Sequence, residues 1–225
     1  MLQSYINRAY FLYNVKLNLN TVINTLKDMR DYVFPIRRIT NKFKTINSFD
    51  QLKNFIKERS AHVTQTTLYG YIKTRIGSRY NLMFDDEVFV RSVNIAKWNI
   101  YACALTDLTL YTFSYLTDKK NLKKDNKIND IFFSILDDDI KKIEFGPELY
   151  EKTKSTFEKK IKEINWNNYH KDKPFYNSGQ ALYNWSPISE ELKVLDKTIV
   201  LNSIKLKWNL VENEFQELTK NVNFD

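Results

Sequence analysis

Little in this chain can make a tight turn: four glycines and four prolines are spread over 225 residues. Hairpins and sheet corners consume those residues, so their scarcity argues against a β-rich fold and for long helices with few connections. Cysteine is rarer still. Cys103, the sole one, sits between Ala102 and Ala104, which excludes an intrachain disulfide and lacks the polar setting of a reactive thiol. A reducing, cytoplasmic setting is expected. The start, Met1–Val15, agrees with this, having no basic stretch ahead of an apolar one and no small-residue cleavage site.

The usual marks of metal and cofactor chemistry are also missing. His62 and His170 are the only histidines, and they do not have ligand spacing. Asp137, Asp138 and Asp139 lack the alternation and central glycine of a calcium loop. Gly70 and Gly77 are followed by Arg79 where a phosphate loop needs Ser or Thr, and no serine elbow or dinucleotide fingerprint occurs. No metal and no cofactor is expected, and the absences lean away from an enzyme.

Arginine is absent after residue 91. Residues 1–91 carry 15 Lys and Arg against 7 Asp and Glu, whereas residues 92–225 carry 20 of each. The net charge of +8 therefore belongs to the first part of the chain. Elsewhere lysine supplies every cation, so the arginines mark positions where a planar, multidentate fork has a use that an ammonium cannot fill.

What is present is core material. Hydrophobic residues make up 43% of the chain and aromatics 15%, enough for a packed interior and too much for disorder. We read one all-α domain over residues 1–225, a bundle of five to seven helices, several of them long. Apolar period and caps place helices at Leu2–Val15 and Thr21–Val33, the second stopped by Pro35, and an irregular basic connection at Ile36–Asn47. Ser48 caps a long helix through Leu52, Phe55, Ile56, Val63, Leu68, Ile72 and Ile76 to Gly77. The acids Asp85, Asp86 and Glu87 then open a helix reaching about Thr117, apolar nearly all round beyond residue 98. This helix, at about 86–117, is the expected centre of the bundle.

Within it, Trp98–Thr117 is long enough to cross a bilayer. Asp107 at its middle, with Asn99, Thr106, Thr109, Thr112 and Ser114, favours a buried core helix instead. Further helices are expected at Lys127–Lys142, from Gly146-Pro147 with a stripe of Leu149, Phe157, Ile161 and Ile164, and from Ser186-Pro187 to about Lys220. The last carries Ile188, Leu192, Leu195, Ile199 and Leu206 on one side and is expected to pack beside the central helix. Asn165–Trp185 has no clear period. Its aromatic load, including Trp166, Tyr169, Phe175 and Tyr176, predicts a packed loop.

Three constellations can carry chemistry. In QTTLYGYIKTRIGSRY, Gln65–Tyr80, the residues Tyr69, Tyr71 and Tyr80 interleave with Lys73, Arg75 and Arg79. A guanidinium pair four residues apart clamps phosphate or carboxylate, and tyrosine adds a hydroxyl or a stacking face. The same cations also complement a helix C-terminus and can pair with Asp85 or Asp86. Phe34–Lys44 adds Arg37 and Arg38 on a basic, aromatic segment suited to nucleic acid or an anionic membrane surface, and equally to plain solvent. Arg59 and Arg91 complete the candidate anion-binding set. Asp107, the lone charge in an apolar helix, must take a partner from another helix or stay neutral, and is the one candidate catalytic acid.

The words TLYGYIKTRIGSRYNLMFDDEVFVRS and NIAKWNIYACALTD resemble a family of uncharacterised alphaproteobacterial proteins, chiefly over residues 64–107. The resemblance implies a bacterial, cytoplasmic setting and carries no activity. Read from the residues, the leading expectation is a binding or interaction protein that engages an anionic macromolecule or small anionic ligand through its Arg- and Tyr-bearing first part. The alternatives are a helical enzyme acting on a small anionic substrate in an inter-helix pocket, and attachment to a membrane surface. The long helices also offer faces for homo-oligomers. Geometry separates these readings: the arginines converge on a concavity, lie open, or pair with acids.

Overall fold

The computed structural model describes residues 44–122, 127–142 and 144–222. The helices expected at Leu2–Val15 and Thr21–Val33, most of the basic connection, and Arg37 and Arg38 lie outside the described residues. The architecture is all-α, with no strand among the described residues.

Local signals set the helix limits. Helix α1, Phe49–Ile76, starts at Ser48, whose hydroxyl accepts from Gln51 N at 3.3 Å, while the Gln51 side chain accepts from Asn47 N at 2.8 Å. This reciprocal capping satisfies amides that the helix itself leaves open. It stops at Gly77, whose φ of +63° is a left-handed conformation that most side chains resist. After a 3₁₀ turn at Gly77–Arg79 and the short α2, Tyr80–Met83, helix α3 runs Glu87–Lys120. Asp86 caps it, accepting from Val88 N at 2.8 Å and Phe89 N at 3.3 Å, and Asn121 ends it at φ +54°. Helix α4 spans Lys127–Ile140, and α5, Pro147–Glu163, begins with proline in its first turn. A 3₁₀ turn at Tyr169–Lys171 leads to α6, Tyr176–Trp185, and α7, Glu190–Thr219.

Helix α3 is the axis of the bundle, as its composition predicts. From Ala104 to Ser114 every residue is buried, and α1, α4, α5 and α6 pack around it. Leu105, Leu108 and Leu110 are fully enclosed, so truncating one to alanine costs about 2–5 kcal/mol. The buried hydroxyls are satisfied within the helix: Thr106 donates to Ala102 O at 2.9 Å, Thr109 to Leu105 O at 2.7 Å and Thr112 to Thr109 O at 3.0 Å. That is how a polar-dotted helix sits in an apolar core without unmet donors. No helix among the described residues is long and apolar enough to cross a membrane.

Two expectations need correction. The aromatic segment is not a loop throughout, because Tyr176–Trp185 forms α6, with Ser178, Gly179, Ala181 and Leu182 turned inward. Helical period was hidden there by inward positions that are small or polar. The other concerns α7. Leu192, Leu195, Ile199 and Leu206 do share one side, but that side faces solvent, and the buried line is Lys193, Asp196, Val200, Ile204, Trp208, Val211 and Phe215. Two charged residues occupy its inward face because both are paired, Asp196 with distant Arg75 and Lys193 with Glu190 three residues before it. Nor does α7 lie along α3. It packs mainly on α6 and α1, reaching α3 through Phe215 and through Gln216, whose amide donates to Tyr111 Oη at 3.1 Å.

Candidate functional site

The described arginines, Arg59, Arg75, Arg79 and Arg91, do not converge. Arg59, fully buried on α1, grips Glu214 of α7 with both arms of its guanidinium, Nε to Oε2 at 2.6 Å and Nη2 to Oε1. Sixteen residues on, about 24 Å along the same helix, Arg75 makes a two-pronged pair with Asp196, and the Tyr71 hydroxyl donates to Asp196 Oδ2 at 2.9 Å. These are the bidentate contacts for which arginine is suited, made to carboxylates of this chain. They fasten α7 to α1. Tyr69 and Tyr80 pack on Phe84, with ring centroids at 6.5 and 5.0 Å. Lys73, Arg79 and Arg91 are exposed, and Asp86, one acid expected to pair with Arg79, caps α3 instead.

Asp107 receives partners from two other helices. Its Oδ2 accepts from Ser178 N at 2.7 Å, and its Oδ1 accepts from Asn177 Nδ2 at 3.1 Å and Lys160 Nζ at 3.3 Å. Complete burial pushes this carboxyl above the usual range, with the lysine and the two amide donors pulling the other way. The carboxylate thus ties α3 to α5 and α6. Cys103, one turn earlier, has its thiol pushed up to about 11 by burial and by Asp107, which leaves it protonated at neutral pH.

From Asp107 a chain of contacts leads outward to a cleft. The Ser178 hydroxyl donates to Phe175 O at 3.0 Å and accepts from Trp208 Nε1 at 3.0 Å. Those two rings lie flat on each other, with centroids 4.2 Å apart and planes 8° off parallel. They line a cleft of about 450 Å³ between the 170–180 segment and α7. Leu201 and Ile204 extend its apolar lining, Gln180 and Asn209 supply amides, and Lys171, Lys173, Lys205 and Glu212 bring charge. Lys171 is held by Asp118 at 3.0 Å. Lys173 and Lys205 have no carboxylate within ion-pair distance among the described residues. Glu212 is pushed toward its neutral form by burial, opposed by Lys205. The two lysines without such a partner stand in a left-handed turn at φ +47°, Lys173, and on α7, Lys205.

Behind His170, which lines the cleft, stand a serine and an aspartate. The Ser114 hydroxyl donates to Trp166 O at 2.6 Å and accepts from His170 N at 3.0 Å, and His170 Nδ1 stands 3.0 Å from it. Which of Nδ1 and the hydroxyl donates is set by the ring tautomer. The other nitrogen faces Asp118 at 3.5 Å. Despite the residue types this is no nucleophile: Ser114 is fully buried with its proton engaged, so the cluster fastens the 166–170 turn to α3.

None of the described residues of the anion-binding set lines this cleft, and Asp107 reaches it through Ser178. Sequence reading missed Lys173, Lys205, Trp208 and Glu212, and named Phe175 and Tyr176 only for their part in an aromatic segment. The available signal was the aromatic density of Asn165–Trp185, which marked the segment without showing its counterpart on α7. Comparison of the chain with family models, curated proteins and solved structures found no match.

Proposed function

We propose that this is a binding protein for a small organic anion with a flat, apolar body, held in the cleft between Phe175 and α7. The supporting observation is the pairing of a stacked aromatic surface, Phe175 on Trp208, with two lysines that have no carboxylate partner, Lys173 and Lys205. A concave apolar lining with a few polar groups at its rim suits a small molecule better than a nucleic-acid strand. Phe175, backed by the buried Trp208, gives contact area to the ligand body, and the lysines select its charge. Burial of Glu212 in the same lining disfavours its charged form, opposed by Lys205. Lys73, Arg79 and Arg91, exposed on the other part of the molecule, add to the general field that attracts anions.

The test is calorimetric titration with an aromatic sulfonate, anilinonaphthalene sulfonate, and with its uncharged parent. The sulfonate binds and the parent binds at least about tenfold more weakly, a difference of about 1.4 kcal/mol. Lys173→Gln with Lys205→Gln removes that preference, and affinity falls as salt rises from about 50 to 500 mM. Equal binding of the two compounds, or binding untouched by the lysine substitutions, overturns the reading.

A further inference from the structure

Away from the cleft, α7 carries an apolar face that the described chain leaves in solvent. Leu192, Leu195, Ile199, Leu206 and Leu210 are 38 to 74% exposed, and at about 100° per residue they fall within roughly 60° of arc. Single exposed leucines are ordinary. Five aligned along about 27 Å of helix form a patch of the kind that marks an interaction surface.

Spacing and charge say what fits it. Leu192, Ile199 and Leu206 recur every seventh residue, with Leu195 at the intermediate position, which is the seam of one helix pairing with another. On one flank of this seam stand exposed Glu191 near its start and exposed Lys205 near its end. A parallel second copy would bring the opposite flank of the other helix to Glu191, where Asp196 stands, acid against acid. An antiparallel copy meets the same flank with the same flank, so a register centred near residue 198 sets each Glu191 against the other chain's Lys205. At about that register Leu195 opposes Ile199 on either side of the two-fold axis, so apolar meets apolar at the centre of the seam, and Leu192 meets Asn202. The helix dipoles are then also opposed favourably.

We infer that this face of α7 is the interface of a two-fold symmetric homodimer, formed by α7 pairing antiparallel with α7 of a second copy. The surface is self-complementary, as an isologous contact requires. Asn202, within the seam, favours one register over its neighbours. Leu195 and Ile199 do not line the cleft, whereas Lys205 borders both, so the Leu195→Glu with Ile199→Glu arm is the one that tests the dimer apart from the cleft.

The test is the mass of the full-length protein in solution, by light scattering after size exclusion, from about 1 to 200 µM. At the upper end the mass approaches twice the 26.9 kDa of one chain. Leu195→Glu with Ile199→Glu raises the dissociation constant by at least about a hundredfold while helicity stays unchanged. Glu191→Lys alone weakens the dimer about tenfold, and Glu191→Lys combined with Lys205→Glu returns it to within about threefold of the natural chain. A single-chain mass across the whole range overturns the inference. So does a dimer indifferent to the Leu195 and Ile199 substitutions, and a failure of the charge exchange to restore pairing rejects the antiparallel register.

Discussion

At the scale of single residues, the buried ionisable groups fix how this protein responds to pH. Both histidines are held below their ordinary value of 6.5, His62 by burial and the nearby Arg59, His170 by burial and Lys171. The unfolded chain therefore takes up protons at a pH where the native one does not, and their contribution is present above about pH 6.5 and lost as pH falls below it. Chemical unfolding from about pH 7 to about pH 5 should show stability falling, with a smaller fall in His62→Gln and His170→Gln. Asp107 works in the opposite sense. Its folded value is raised, so the natural chain loses ground to Asp107→Asn as pH rises from about 4 through that raised value, and an unchanging difference between the two across the series would contradict this. Asp107→Ala removes the acceptor from Ser178 N and Asn177 and costs about 2–4 kcal/mol at neutral pH, read by the same unfolding.

Some of this was legible in the chain and some was not. Asp107 stands out because it is the only charge in its apolar run, and the helix offset of Arg91 and Lys97 already required a partner from elsewhere. That the partner is Lys160 depends on how α5 crosses α3, which no local pattern encodes. Arginine enrichment was a real signal of multidentate use. It did not reveal that Arg59 and Arg75 would face Glu214 and Asp196, more than a hundred residues away along the chain.

At the scale of elements, the boundaries were the readable part. Ser48, Asp86, Gly77 and Pro147 each act through backbone geometry within a few residues, so they mean the same thing before and after folding. Asp86→Ala should lower stability by about 1 kcal/mol, since two amides of the first turn of α3 lose their acceptor. Asn121→Gly should raise it by a few tenths to about 1 kcal/mol, because glycine adopts the left-handed end of α3 without a Cβ penalty. Thermal melts of both variants check the signs. Facing was the unreadable part. Hydrophobic period assumes that the apolar side of a helix turns inward, and α7 reverses this over its first half, where Lys193 donates to Asn184 O and Glu190 while Asp196 receives Arg75. The same reversal frees its leucines for an outside partner.

At the scale of the whole molecule, one contiguous cluster of buried side chains draws on α1 and α3 to α7, so loosening one of these helices reaches the others through α3. Amide exchange should accordingly be slowest in α3 between Ala104 and Ser114 and faster at the exposed turn Gly77–Met83. An α3 that exchanges as fast as that turn would mean that it is not the axis of stability.

The pairing of α1 with α7 bears on how the protein can be made. The amide of Ile46 donates to Leu218 O at 3.1 Å, and Arg59 receives its carboxylate from Glu214. The first described helix is thus completed by the last. During synthesis α1 leaves the ribosome long before its acceptors exist, and its apolar side and guanidinium must wait for the 155 residues that separate Arg59 from Glu214. A nascent polypeptide stalled before α7 should remain open to protease along α1 and depend on chaperones, whereas emergence of α7 lets the bundle close in one late step.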